Sequence, residues 1–163
     1  MIFVITGTHS QQFNRLLKEV DNLVEFKAIK DKVIMQIGYS DYLPKNTEWF
    51  KFVDYKKMLN LIGKASLIIT HGGIGSVMVS LKLNKKIIVV PRLKKFLEHT
   101  NDHQLEIVKE LSRQGKIVAV YNINELRPAL ANINSFMPKK SEKSGKILQM
   151  INLYLNRLES ESL

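Results

Sequence analysis

Leu67-Ile68-Ile69-Thr70-His71-Gly72-Gly73-Ile74-Gly75-Ser76-Val77-Met78-Val79 is the stretch that decides the fold. Leu67 to Thr70 reads as a buried strand, His71 to Gly73 as a glycine-rich turn, and the residues from Ile74 to about Leu83 as a helix. A helix start leaves backbone N–H groups unpaired and carries partial positive charge, so this turn is a ready anion site. Glycine lets a phosphate approach the backbone closely. The stretch is not a Walker loop, because no Lys-Ser or Lys-Thr follows the glycines. Nor is it the usual dinucleotide fingerprint, which belongs on the first strand–helix turn of its fold. A tight turn that binds nothing accounts for the same residues.

The pattern repeats outward from that stretch. Before it, Tyr55, Met58, Leu59 and Ile62 keep helical spacing up to Gly63, and Phe50 to Val53 reads as a short strand. Val33 to Ile37 reads as a strand closed by Gly38, and residues 39 to 48 as a polar loop. Ile2 to Thr6 is the first strand and Gly7 to Ser10 its turn. Ser10 is placed to cap a helix whose stripe is Phe13, Leu16, Leu17 and Val20. After the central stretch, Ile87 to Val90 is a strand stopped by Pro91, followed by a charged loop to Thr100. Asn101 with Gln104 reads as an Asn variant of the capping box, opening a helix with Leu105, Val108 and Leu111 inward and Gly115 at its end. Ile117 to Val120 is a sixth strand, and Asn122 or Asn124 opens a short helix to about Asn132. Ile147, Ile151, Tyr154, Leu155 and Leu158 form a last amphipathic stripe. Apolar strands alternating with helices predict an α/β fold, a Rossmann-like doubly wound parallel sheet over residues 1 to 135, with residues 136 to 163 as a C-terminal amphipathic helix.

The chain of 163 residues is long enough for one domain with a sizeable core, and 45% hydrophobic with 25% charged residues is ordinary for a globular protein. There is no cysteine, which leaves nothing to suggest disulfides or a cysteine-rich metal site. The start, Met1-Ile2-Phe3-Val4-Ile5-Thr6-Gly7, lacks the basic and long apolar regions of a signal peptide, and no apolar run approaches the roughly 20 residues that span a bilayer. The formal charge of +10 fits nucleic acid, an anionic membrane surface, anionic small molecules, or a lysine-rich solvated surface. No aromatic-and-basic nucleic-acid module or basic recognition helix is present, so a nucleic-acid partner is not expected.

Ligands of such folds bind beyond the carboxyl ends of the strands, which singles out the loops Gly7 to Ser10, His71 to Ser76 and Pro91 to Gln104. They offer glycine-rich backbone, two histidines (His71, His103), polar side chains (Thr8, Ser76, Asn101, Gln104) and two acids (Glu98, Asp102). That set suits a nucleotide diphosphate, with N–H groups for phosphate and polar side chains for sugar hydroxyls. His99, Asp102 and His103 are spaced as metal ligands but lack a third firm partner, so no metal and no cofactor is expected. No Asp-x-Asp holds a divalent ion and Ser76 lacks a nucleophile elbow. The capping box alone accounts for Asn101 and Gln104.

Several segments occur in an order that carries a resemblance: Ile5-Thr6-Gly7-Thr8-His9 with Gln12-Phe13, Met35-Gln36-Ile37-Gly38-Tyr39, Thr70-His71-Gly72-Gly73, Val89-Val90-Pro91-Arg92, and Glu98-His99-Thr100-Asn101-Asp102-His103-Gln104. Over roughly residues 1 to 130 the chain resembles the glycosyltransferase family 28 C-terminal domain, and in particular small bacterial exopolysaccharide and capsule glycosyltransferase subunits. These are similar to the catalytic subunit of the eukaryotic enzyme that adds the second N-acetylglucosamine to dolichol-linked chitobiose. The resemblance implies the donor half of a GT-B glycosyltransferase. Its other half is a membrane-anchored subunit that recruits it to the cytoplasmic face and holds a polyprenyl-diphosphate-linked acceptor. By position, Gly7 and Thr8 approach the donor diphosphate, His71, Gly72, Gly73, Gly75 and Ser76 line the nucleotide and phosphate site, and Asn101, Asp102, His103 and Gln104 contact the donor sugar or its phosphates.

The implied reaction is an inverting, metal-independent hexosyl transfer from a UDP-sugar, galactose or an N-acetylhexosamine. One departure stands out. Members of the family it resembles usually carry a glutamate where Val79 stands, expected to hold the nucleotide ribose, and valine accepts no hydrogen bond. That departure favours, as the alternative, a non-catalytic accessory subunit that stabilises its partner. A free-standing epimerase or hydrolase needs a second lobe. No general base is legible; in GT-B enzymes it commonly belongs to the acceptor half, and His9 is the local candidate. The last helix, residues 141 to 158, docks on the partner or packs on its own domain, and self-association is open to a half-enzyme with exposed apolar surface.

Overall fold

A computed structural model describes residues 1–100 and 104–139. Six strands form one sheet: β1 (Ile2–Ile5), β2 (Val33–Gln36), β3 (Glu48–Phe50), β4 (Leu67–Thr70), β5 (Lys86–Val89) and β6 (Val118–Ala119). Their spatial order is β3-β2-β1-β4-β5-β6 and every pairing is parallel. Among the described residues four α-helices connect them, α1 (Asn14–Glu25), α2 (Tyr55–Lys64), α3 (Ile74–Lys82) and α4 (Gln104–Arg113), and α5 (Leu126–Asn132) follows β6. The expected doubly wound parallel sheet is what the chain forms.

Why the central strands read as unbroken apolar runs is plain from their packing. Successive side chains leave opposite faces of the sheet, and both faces are covered. Ile2 and Val4 join one core with Leu67, Ile69 and Ile88 beneath α1 and α5. Phe3, Ile5 and Ile68 point the other way, onto Ile62 of α2. Ile87 and Val89 pack with Val77, Val108 and Leu111 of α3 and α4. A long-range carboxylate holds the edge. Asp21, on α1 and buried, accepts from the Tyr42 hydroxyl (2.7 Å) and from the backbone N–H groups of Lys45 and Asn46 (both 2.9 Å). Burial alone pushes its carboxyl up, but these hydrogen bonds outweigh it and hold it below the usual range.

Four local expectations are corrected. Ser10 does not cap α1, which begins four residues later at Asn14 with no side-chain cap at Phe13. The incoming chain is instead fixed from a distance, because the Phe13 N–H donates to Ser40 Oγ (2.9 Å), while Gln12 Oε1 accepts from the Asn14 N–H (2.7 Å). The third strand is Glu48–Phe50 rather than 50 to 53, because Phe52 and Val53 leave the sheet to wall a cavity. Gly63 lies inside α2, whose end carbonyl it supplies to Lys85 Nζ (2.5 Å). The sixth strand shortens to two residues, and Asn122 caps a 3-10 turn (Ile123–Glu125) that leads into α5. Asn101, the expected start of α4, and the C-terminal helix expected over 141 to 158 lie outside the described residues.

Candidate functional site

β1 and β4 are neighbours in the sheet, although the chain visits β2 and β3 between them. The strand order therefore reverses at this point, and the turns after β1 and β4 flank the crevice. A cavity of about 290 Å³ opens there. Gly7, Thr8, His71, Gly73, Gly75 and Ser76 all line it, so six of the expected site residues are brought together.

His71 is the piece on which both turns rest. Its backbone N–H and its ring Nδ1 both lie against the Ile5 carbonyl, at 3.1 and 3.2 Å. A carbonyl only accepts, so Nδ1 carries the proton and Nε2 has the lone pair. The ring fills the space where side chains would stand at two glycines. A Cβ on Gly7 would sit 2.6 Å from Nε2 and Cε1, and a Cβ on Gly73 would collide with Nε2 as well. Gly7 also holds φ +80°, a conformation L side chains rarely adopt. Glycine at these two positions thus makes room for an imidazole. Among the described glycines that line the crevice, only Gly75 has open space beyond the missing Cβ. Gly72 is buried and tucks against Val89 and Val108, which anchors the turn rather than exposing it.

Burial, and secondarily the nearby Arg92 charge, pushes the His71 imidazole down to about 4; the Ile5 hydrogen bond opposes this only in part. The sign follows directly. Between the ordinary histidine value of about 6.5 and the folded value, the unfolded chain binds a proton that the folded chain does not. Stability should therefore be full above about pH 6.5 and fall by up to ~3 kcal/mol on acidification to about pH 4. Urea titrations across that range check it, and His71→Gln should flatten the profile.

Ser76 closes a second small network. Its hydroxyl donates to the Gly73 carbonyl (2.9 Å) and contacts Thr70 Oγ1 at 2.9 Å. Gly73 is the N-cap of α3 and no side chain caps this helix. The first intrahelical bond runs from the Val77 N–H to the Gly73 carbonyl (3.2 Å), so the N–H groups of Ile74, Gly75 and Ser76 have no partner within the helix. They and the dipole make the positive end of the crevice.

Two residues that the sequence did not single out as site residues shape the rest. Gln36, at the end of β2, has its amide fully used: Oε1 accepts from the N–H groups of Thr6 (3.1 Å) and Gly7 (2.9 Å), and Nε2 donates to the carbonyls of Gly7 (2.8 Å) and Lys51 (3.1 Å). The Gly7 N–H is thereby committed to Gln36 and not to a ligand. Phe52, with Val53, forms the opposite rim, and its ring meets Tyr39 edge-on at 5.0 Å. The only signal for either was position: each lies at the carboxyl end of a strand.

The third loop is fastened from beneath. Arg92 is buried; Nη1 donates to the carbonyls of Gln11 (2.9 Å), Gln12 (2.9 Å) and Glu98 (3.0 Å), and Nη2 to that of Thr6 (2.8 Å). Glu98 is fully buried against Arg15, which grips it with Nε (2.9 Å) and Nη2 (2.8 Å). His9 and His99 stack with ring centres 4.5 Å apart. Gln104 opens α4, and its Oε1 is buried without a hydrogen-bond partner among the described residues. Asn101, Asp102 and His103, and with them the metal-ligand spacing at His99, lie outside the described residues. Among the described residues no group of three His, Cys, Asp or Glu side chains is placed to hold a metal ion.

The profile of the glycosyltransferase family 28 C-terminal domain matches residues 1–153. The chain belongs to this family. Among curated proteins, the human "UDP-N-acetylglucosamine transferase subunit ALG13" is 34% identical over 125 residues, which is 71% of this chain and 10% of that protein. The chain thus spans about a tenth of that relative's length. Among solved structures, the solution structure of ALG13 aligns with a TM-score of 0.62 at 16% identity, covering 91% of this chain and 93% of that one. The kitacinnamycin glycotransferase aligns with a TM-score of 0.59 at 21% identity, covering 82% of this chain and 34% of that chain. At these identities the structures speak for the fold alone: the GT28 chain has the fold of one part of a larger glycosyltransferase. Among the described residues no helix is long and apolar enough to cross a membrane.

Proposed function

We propose that this chain is the donor-binding catalytic subunit of a two-component inverting glycosyltransferase. It moves a hexose or N-acetylhexosamine from a UDP-sugar to a polyprenyl-diphosphate-linked acceptor in surface polysaccharide synthesis, at the cytoplasmic face of the membrane. The observation that carries the reading is the meeting of the Gly7 turn and the uncapped start of α3 in one crevice at the strand-order reversal. The relatives' name, a UDP-N-acetylglucosamine transferase subunit, supports both the donor class and the need for a partner, and favours N-acetylglucosamine over galactose.

In this reading the donor diphosphate meets the N–H groups of Ile74, Gly75 and Ser76, with Thr8 beside it. As the sugar–phosphate bond breaks, negative charge grows on the leaving diphosphate. Fixed N–H donors and a helix dipole stabilise that charge without reorganising. The base lies toward Phe52 and Val53. The family resemblance assigns Asn101, Asp102, His103 and Gln104 to contact with the donor sugar or its phosphates. The general base and the acceptor site come from a membrane-anchored partner.

A second reading, an accessory subunit that stabilises its partner and binds donor poorly, is favoured by Val79, an apolar residue in the wall of the crevice. Calorimetric titration with UDP, UDP-galactose and UDP-N-acetylglucosamine separates the two. The first reading expects saturable binding that Gly73→Ala weakens at least tenfold. Heat that never saturates with any of the three would favour the accessory role.

A further inference from the structure

The loop after β5 carries an exposed run between buried ends. Pro91, Arg92 and Leu93 are buried and so is Glu98, but the four residues between them, Lys94-Lys95-Phe96-Leu97, are all exposed. Lys94–Phe96 form a single 3-10 turn, and Leu97 ends it in the left-handed conformation (φ 57°, ψ 30°). That conformation is disfavoured for a residue with a Cβ. Leu97 gains little packing in return, because it is 77% exposed, and Phe96 beside it is 43% exposed.

The turn is nevertheless held firmly. The N–H groups of Phe96 (3.1 Å) and Glu98 (3.3 Å) donate to the Leu93 carbonyl, and the Leu97 N–H donates to that of Lys94 (2.9 Å). Gln12 Nε2 donates to the Phe96 carbonyl (3.2 Å). The Glu98 carboxylate accepts from the Leu93 N–H (3.0 Å) as well as from Arg15. Glu98 is the only acid of this loop from Pro91 to Thr100, and it is buried in that ion pair, so the charge displayed at the tip is positive. Lys95 Nζ and the Arg15 guanidinium each lie 4.9 Å from the centre of the Phe96 ring. The fold thus fixes two apolar side chains outward among cations, in a conformation whose cost their own packing does not recover.

We propose that Lys94–Leu97 is a membrane-surface contact: Phe96 and Leu97 enter the interface of an anionic bilayer while Lys94 and Lys95 meet its headgroup phosphates. Charge and size select this occupant. Apolar side chains flanked by lysines match a boundary where acyl carbons lie beneath anionic headgroups. Two side chains fall far short of the roughly 800 Å² per partner that a stable protein interface buries. The contact goes beyond the donor-site reading and does not depend on it. Because the sheet is parallel, the loop after β5 lies at the same end as the turns after β1 and β4, so this contact sets the crevice on the bilayer-facing end of the sheet.

The test is co-sedimentation of the full chain with vesicles of equal parts phosphatidylcholine and phosphatidylglycerol, against vesicles of phosphatidylcholine alone. The native chain should bind the anionic vesicles at least about tenfold more tightly, and less tightly as salt is raised. The double variant Lys94→Ser/Lys95→Ser and the single variant Leu97→Gly should each weaken that binding by about tenfold. Glycine takes the left-handed conformation freely, so the urea midpoint of Leu97→Gly should not fall, which separates lost binding from lost fold. A native chain that leaves the anionic vesicles unbound overturns the proposal and assigns the exposed turn to a protein contact. Binding that both variants retain in full also overturns it, since other lysines of the chain would then carry the attraction.

Discussion

Arg92→Ala is expected to lower the unfolding free energy by on the order of 3–5 kcal/mol, enough to unfold a marginal domain. The side chain is only 2% exposed, and its guanidinium donates to four backbone carbonyls from two loops. Those of Thr6, Gln11 and Gln12 belong to the chain leaving β1; that of Glu98 belongs to the loop after β5. Alanine leaves these acceptors without a donor and opens a void beneath Phe13, whose ring the guanidinium covers at 4.8 Å. Burial pushes the guanidinium down to about 10, although the Glu98 charge supports it, so it stays charged at neutral pH. Lysine restores the charge but offers three donors from a single point, so Arg92→Lys should recover less than half of the loss. Urea unfolding with an unchanged m-value is the measurement. A loss under about 1 kcal/mol would show that the two loops hold without their clasp.

Gly7→Ala is the second large effect, and its cause is different. The methyl group would have to enter the His71 ring, 2.6 Å from two of its atoms, at a backbone angle of φ +80°. Overpacking and the left-handed conformation together should cost on the order of 3 kcal/mol. His71 cannot step aside cheaply, because both its backbone N–H and its Nδ1 are tied to Ile5. UDP affinity should fall with it, since the ring also fixes Gly73 at the head of α3. Gly75→Ala is the matched control. Its Cβ meets open space in a helix, so the fold should gain about 0.5–1 kcal/mol while a methyl intrudes on the phosphate end. A double variant Gly7→Ala/His71→Ala should cost less than the sum of its parts, because one clash is shared.

Much of this was legible in the sequence, for one physical reason. A parallel sheet buried on both faces writes itself as short apolar runs between helical stripes, and Ile2 to Ile5, Leu67 to Thr70 and the Ile87 to Val90 run all carry that signature. What the sequence hid lies between elements far apart in the chain. Ser10 looks like a cap locally, yet Ser40 supplies the hydroxyl from a distance of 27 residues along the chain, through Phe13. Phe52 and Val53 look like strand because they are apolar, but they serve a cavity wall. The glycines of the central turn suggest phosphate approach, and only Gly75 is open for it; Gly7 and Gly73 are small because His71 stands between them. No periodicity announces that a histidine will be the spacer.

In the proposed donor complex a nucleoside diphosphate lies across the turns after β1 and β4, against the start of α3. Amide chemical-shift mapping of the ¹⁵N-labelled chain during a UDP titration tests it most directly. The largest saturable shifts are expected at Thr8, Gly73, Gly75 and Ser76, with a second group at Phe52 and Val53. Saturable shifts clustered elsewhere, for instance in the cavity of about 310 Å³ at the amino ends of the strands near Lys86 and Arg127, would argue against that placement.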